Sequence, residues 1–101
     1  MLDAAAFSDL RSFVKRRIAF ARYRADGVYH QTKLNDIKVL PDGTVRAQLS
    51  VIPENKVTVD RVELYNSDSN LWAHQDCNIT ISTGQTGILY WFDFTITEEA
   101  Q

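Results

Sequence analysis

The chain has 101 residues, 45% of them apolar and 24% charged, with a formal charge of −2. That is enough for one domain with a real core and too little for two. No apolar run is long enough to span a bilayer, and the single cysteine, Cys77, excludes an intrachain disulfide, so packing must hold the fold.

The N-terminus shows no basic segment followed by an apolar stretch and a cleavage site, so an intracellular, unprocessed protein is expected. Asp3 to Arg24 reads as a helix. Asp3 suits the N-cap, Ala4 to Ala6 favour helix, and Asp9 complements the positive end of the dipole. Phe7, Leu10, Val14, Ile18 and Ala21 recur at spacings of three and four, which makes one apolar stripe, widened by Phe13 and Phe20. Gly27 is where the chain can turn away.

The opposite helix face is basic. Arg11, Lys15, Arg16, Arg17, Arg22 and Arg24 place +4 on residues 1–24 and leave −6 on the remainder. Such a face is either a footprint for nucleic acid or an acidic partner, or a solvated surface whose arginines pair with acids on the sheet. The acidic total favours the second and disfavours nucleic acid.

After Gly27 the apolar period falls from near 3.6 to near 2. Val28 to Val39 reads as one long or broken strand, Pro41-Asp42-Gly43 as a turn, and Thr44 to Ile52 as its hairpin partner with Val45, Ala47, Leu49 and Val51 on one face. Pro53 to Lys56 breaks the pattern. From Val57 to Tyr65 the apolar phase slips, which a bulge near Asp60-Arg61 would repair. Asn66 to Asn70 is a polar turn, and short strands follow from Leu71 and at Ile79-Thr80-Ile81. Residues 83–87 lead into the last strand, and a polar tail runs from Glu98 to Gln101.

That last strand, from Gly87 to Thr97, sets Ile88, Tyr90, Phe92, Phe94 and Ile96 against Leu89, Trp91, Asp93, Thr95 and Thr97. It holds the densest aromatic and β-branched surface in the chain and needs cover. The fold class expected is α+β: an N-terminal helix (3–24) packed on an antiparallel meander of five to seven strands (28–97), as in cystatin-like folds. In that arrangement Phe7, Leu10, Val14 and Ile18 cover the last strand. The alternative is a small β-sandwich with a projecting helix that pairs with copies of itself.

No constellation declares catalysis. His74-Gln75-Asp76-Cys77 is the one cluster of reactive side chains, but on a strand His74 and Cys77 face opposite ways. There is no Gly-x-Ser-x-Gly elbow, no close carboxylate pair and no phosphate-cradling glycine loop. We therefore assign no catalytic, cofactor or metal residues and expect no enzyme. Trp72 is expected to be buried. Leu89 and Trp91 are surplus to a sheet covered on one face, so they are candidates for partner binding, with Arg11, Lys15, Arg16 and Arg22 of the basic face.

The run Val59-Asp60-Arg61-Val62-Glu63-Leu64-Tyr65-Asn66-Ser67-Asp68-Ser69-Asn70-Leu71-Trp72-Ala73 resembles a pattern of bacteriophage tail, baseplate and tail-fibre proteins. There a strand ending in Leu-Tyr or Leu-Phe meets a polar turn and a second strand opening Leu-hydrophobic-Ala. The closing Gly87-Ile88-Leu89-Tyr90-Trp91-Phe92-Asp93-Phe94 is similar to the final strand of that arrangement, and Ile18 to Tyr23 to the opening helix of small prophage proteins. The turn departs from the usual Asp-Gly or Asn-Gly in having Asp68-Ser69-Asn70. The resemblance implies a non-enzymatic module of a virion or tail, found in the host cytoplasm or the particle. It would act by docking to a protein or by self-association as a homo-oligomer. A small phage-encoded inhibitor of a host defence system, with an acidic sheet blocking a nucleic-acid or ligand site, is the alternative. An enzyme of cystatin-like or nuclear-transport-factor-like form is a third.

Overall fold

The computed structural model describes residues 1–52, 55–82 and 87–97. The break at Pro53-Glu54, the segment 83–86 and the tail 98–101 lie outside the described residues. Helix α1 spans Ala4–Arg17 and is followed by strands β1 (Ile18–Ala25), β2 (Val28–Thr32), β3 (Leu34–Val39), β4 (Val45–Val51), β5 (Val57–Asn66), β6 (Leu71–Ile81) and β7 (Ile88–Phe94). The α+β class, with one N-terminal helix before antiparallel strands, is as expected. The strands divide into two sheets, in the orders β2-β1-β5-β6 and β3-β4-β7.

The helix stops at Arg17, not at Arg24. Ile18 is already extended, although no glycine or proline marks the change. Ile18 is buried, and after a register shift between Ile18 and Phe20 the burial alternates from Ala21, with Ala21, Tyr23 and Ala25 inward and Arg22 and Arg24 less buried between them. Asp26 and Gly27 both have positive φ, 50° and 82°, as a two-residue hairpin turn that matches strand twist requires. β1 thus pairs with β2 on one side and β5 on the other. Two ladders of backbone hydrogen bonds and four buried side chains, Ile18 among them, outweigh the helical preference of Ala19, Ala21 and the arginines.

Nor does α1 supply the cover expected for the last strand. α1 has no fully buried residue, and the core is made by the two sheets facing each other. Ala21, Tyr23, Ala25, Val59, Val62, Leu64 and Ile81 from one sheet meet Ala47, Leu49, Val51 and Phe92 from the other in a single cluster. β4 alternates as read, with Val45, Ala47, Leu49 and Val51 buried. The slip in β5 is a bulge. Ala25 pairs with Val59 and Arg24 with Arg61, which leaves Asp60 as the extra residue. Val59, Val62 and Leu64 are thereby all turned inward.

α1 reaches both the β3–β4 and the β5–β6 turn. Arg11 backs onto Gly43 in the first turn, and Arg17 bonds Asp68 in the second at 3.2 Å. Phe7, Arg11 and Val14, at spacings of four and three, form the half-buried side of the helix, and Val14 touches the core. Leu10 and Phe13 are outside that contact, 40% and 48% exposed. Among the described residues no helix is long and apolar enough to cross a membrane.

Candidate functional site

The outer face of β3-β4-β7 carries Leu89 and Trp91, 50% and 52% exposed. Leu89 lies opposite Ser50 and Trp91 opposite Gln48 on β4, and Trp91 is next on that face to the Arg46–Asp93 pair. Arg46 donates from Nε and Nη2 to the two carboxylate oxygens of Asp93, each at 2.8 Å. Its guanidinium carbon sits 4.2 Å from the centroid of the Trp91 ring. The hydrogen bond to Arg46 holds the Asp93 carboxyl below its ordinary range. Trp91 is therefore an exposed indole with one face braced by a cation that is itself fixed from behind. Just past β4, Ile52 is exposed too.

The outer face of the four-stranded sheet centres on Glu63, which is 3% exposed. Arg22 donates to its Oε1 from Nη2 at 3.0 Å, Tyr65 from its hydroxyl at 2.8 Å, and Arg61 donates to Oε2 from Nε at 2.9 Å. Burial pushes the Glu63 carboxyl up, but hydrogen bonds from Arg61, Tyr65 and Arg22 outweigh it and leave the group below its ordinary value. The Arg22 guanidinium also lies against two tyrosine rings, 4.3 Å from Tyr29 and 5.0 Å from Tyr65. Phe20 stacks on Tyr65 at 5.1 Å. Beside this cluster, Arg24 donates to Asp60 at 2.8 Å.

These contacts divide what looked like one basic helix face. Arg22 and Arg24 belong to β1 and are paired with acids across the strand. Arg17 is paired with Asp68. Arg11 is half-buried, lies 5.7 Å from the Phe7 ring, and has a buried Nε without a hydrogen-bond partner. Lys15 and Arg16 remain exposed on the helix. Among the six candidate residues, the structure brings Leu89 and Trp91 together, places Lys15 and Arg16 side by side in the chain on α1, and sends Arg11 and Arg22 elsewhere.

The third surface was not foreseen. Leu10 and Phe13 are exposed on α1, and Phe13 lies 6.3 Å from Trp72, ring centroid to ring centroid. Trp72 is 38% exposed, contrary to the expectation of burial. Leu64 pairs with Ala73 and Tyr65 with Leu71, so Trp72 is the extra residue of a bulge and is displaced toward the helix. The signal was available in the stripe itself, because Leu10 and Phe13 are offset from Phe7, Val14 and Ile18 around the helix.

His74 and Cys77 do not form a reactive pair. His74 is exposed opposite Glu63, whereas Cys77 is half-buried and donates to the Val59 carbonyl at 3.5 Å. Burial, with Asp60 and Asp76 nearby, pushes the Cys77 thiol up, which favours the unreactive thiol form. Among the described residues no three His, Cys, Asp or Glu side chains gather as metal ligands would. No family model matches the chain, and it matches neither a curated protein nor a solved structure.

Proposed function

We propose that this chain is a non-enzymatic protein-binding module of a bacteriophage tail or virion, docking to another protein of the particle through the outer face of β3-β4-β7. The observation that carries the reading is the Trp91–Arg46–Asp93 arrangement beside Leu89. Tryptophan and arginine dominate the binding energy of protein interfaces, and a side chain already held in place loses little entropy on docking. The resemblance of residues 59–73 and 87–94 to tail and tail-fibre proteins supplies the setting. Self-association is the second mode of action in this reading.

A defence inhibitor that mimics nucleic acid draws less support. Such a surface needs unpaired carboxylates, and here Asp60, Glu63, Asp68 and Asp93 are each engaged by an arginine. The test is co-sedimentation with assembled particles from phage-producing cells. The chain should pellet with particles or tails and stay in the supernatant once Trp91 is replaced by alanine. A wild-type chain that never pellets with them would remove the reading.

A further inference from the structure

We infer that the free edge of β7 is a self-association site, which pairs antiparallel with β7 of a second copy of this chain about a two-fold axis at Trp91. The inference extends the self-association mode of the proposed function, but it uses the backbone of the strand and not its outer face.

β7 ends the three-stranded sheet, so among the described residues no strand pairs with its far side. Every second residue points its N–H and C=O away from β4, and such a row is a template for another strand. The other edge strands are blunted. β2 has only five residues, β3 carries Lys38 and a register shift between Leu34 and Asp36, and β6 shifts register twice against β5. β7 has no such device. Its seven residues pair with β4 without a shift, it contains neither lysine nor proline, and its one charge, on Asp93, is already held by Arg46.

The core is also open on this side. The Tyr90 hydroxyl of β7 bonds Gln75 of β6, so the two edge strands lie over each other. Along them Ala73, Cys77 and Ile79 of β6 and Ile88, Tyr90 and Phe94 of β7 pack on the core and are only partly buried. A strand added to β7 would set its own inward residues beside these.

The occupant is another β7 because the strand is complementary to itself. In an antiparallel pair centred on Trp91, Ile88 meets Phe94 and Tyr90 meets Phe92 on the inward side, while Leu89 meets Asp93 on the outward side. All seven residues are used and no like charges face each other. Moving the centre by one residue leaves two residues of each strand outside the ladder. Each copy has one such edge, so the pairing consumes both and closes as a dimer. Side chains stand perpendicular to a sheet, which keeps Trp91 on the outer face.

Sedimentation velocity on the full chain from about 1 to about 300 µM, with hydrogen exchange over the same range, tests this. We expect a monomer–dimer equilibrium in which the outward amides of β7 gain at least about tenfold protection as the dimer forms, while those of β2 do not. In a Cys77→Ser background, Trp91→Cys should close an intermolecular disulfide on oxidation, because residues paired across the axis have Cα atoms about 4.5–5.5 Å apart. Leu89→Cys should not, since its counterpart would lie about 13 Å away. A monomer throughout overturns the inference and leaves the edge to a strand of another protein. A dimer whose β7 amides exchange as fast as in the monomer overturns it too, and that comparison stands even if Trp91→Cys weakens association. Cross-linking through residue 89 as readily as through residue 91 overturns the register. None of these outcomes depends on whether Trp91 binds a particle.

Discussion

Arg46 lies over Trp91 at 4.2 Å while both carboxylate oxygens of Asp93 hold its guanidinium, so one strand pair presents a braced indole to solvent. A residue half exposed contributes little to folding, and the binding and stability effects of its removal should separate. We expect Trp91→Ala to change the urea midpoint by no more than about 0.5–1 kcal/mol of stability. The same change should weaken particle binding by about 2 kcal/mol or more, as expected of a docking residue.

The Glu63 cluster should behave in the opposite way. Glu63→Gln removes a charge that Arg22, Arg61 and Tyr65 all address, and leaves two arginines facing a neutral amide. A loss of about 1–3 kcal/mol is expected in chemical denaturation. An unchanged midpoint would mean that the cluster is solvated rather than structural.

Stability should be lost at both ends of the pH scale. Glu63, Asp60 and Asp93 titrate below their ordinary values in the folded chain. The stabilisation they supply is complete above the unfolded carboxylate range and disappears as pH falls through the lower, folded values, below about pH 4. Cys77 and Tyr90 titrate above their ordinary values, chiefly through burial. Their contribution is complete below the unfolded values and is lost as pH rises beyond about 8.5 to 10. Thermal unfolding followed across pH should show a plateau between these limits.

Phe92 and Phe94 share the inward side of β7, but Phe92 is 3% exposed and Phe94 is half-buried at the strand end. Phe92→Ala should cost about 3–5 kcal/mol and Phe94→Ala clearly less. Equal losses would contradict the packing of β7 against the opposite sheet.

Gly43 has φ of +90°, and a Cβ there would lie 2.8 Å from Nη2 of Arg11. Gly43→Ala therefore strains the β3–β4 turn and displaces the arginine that seats α1. We expect about 1–2 kcal/mol of destabilisation. Adding Arg11→Ala should relieve the steric part and leave the backbone part.

Much of the sheet was legible because its alternation is local. β4, the bulge at Asp60, the Pro41-Asp42-Gly43 turn and the inward face of β7 follow from side-chain period and turn chemistry. The helix end was not legible, because Ile18 to Ala25 satisfies two periods at once. Ala21 fits a helical stripe after Val14 and Ile18, and it equally fits an alternation with Tyr23 and Ala25. The Asp26-Gly27 hairpin signal could have decided between them. Long-range pairing decided it instead, and the basic residues divided with it, Arg22 to Glu63 and Arg24 to Asp60. Leu89 and Trp91 were legible as surplus, but Arg46 and Asp93 were not, since cross-strand register is needed to bring residues so distant in sequence together.

The most direct measurement compares the wild-type chain, Trp91→Ala and Phe13→Glu for binding to purified particles, with folding monitored in parallel. We predict that Trp91→Ala alone loses the particle while remaining folded, and that Phe13→Glu still binds it. Particle binding by folded Trp91→Ala at wild-type strength would contradict the docking face on β3-β4-β7.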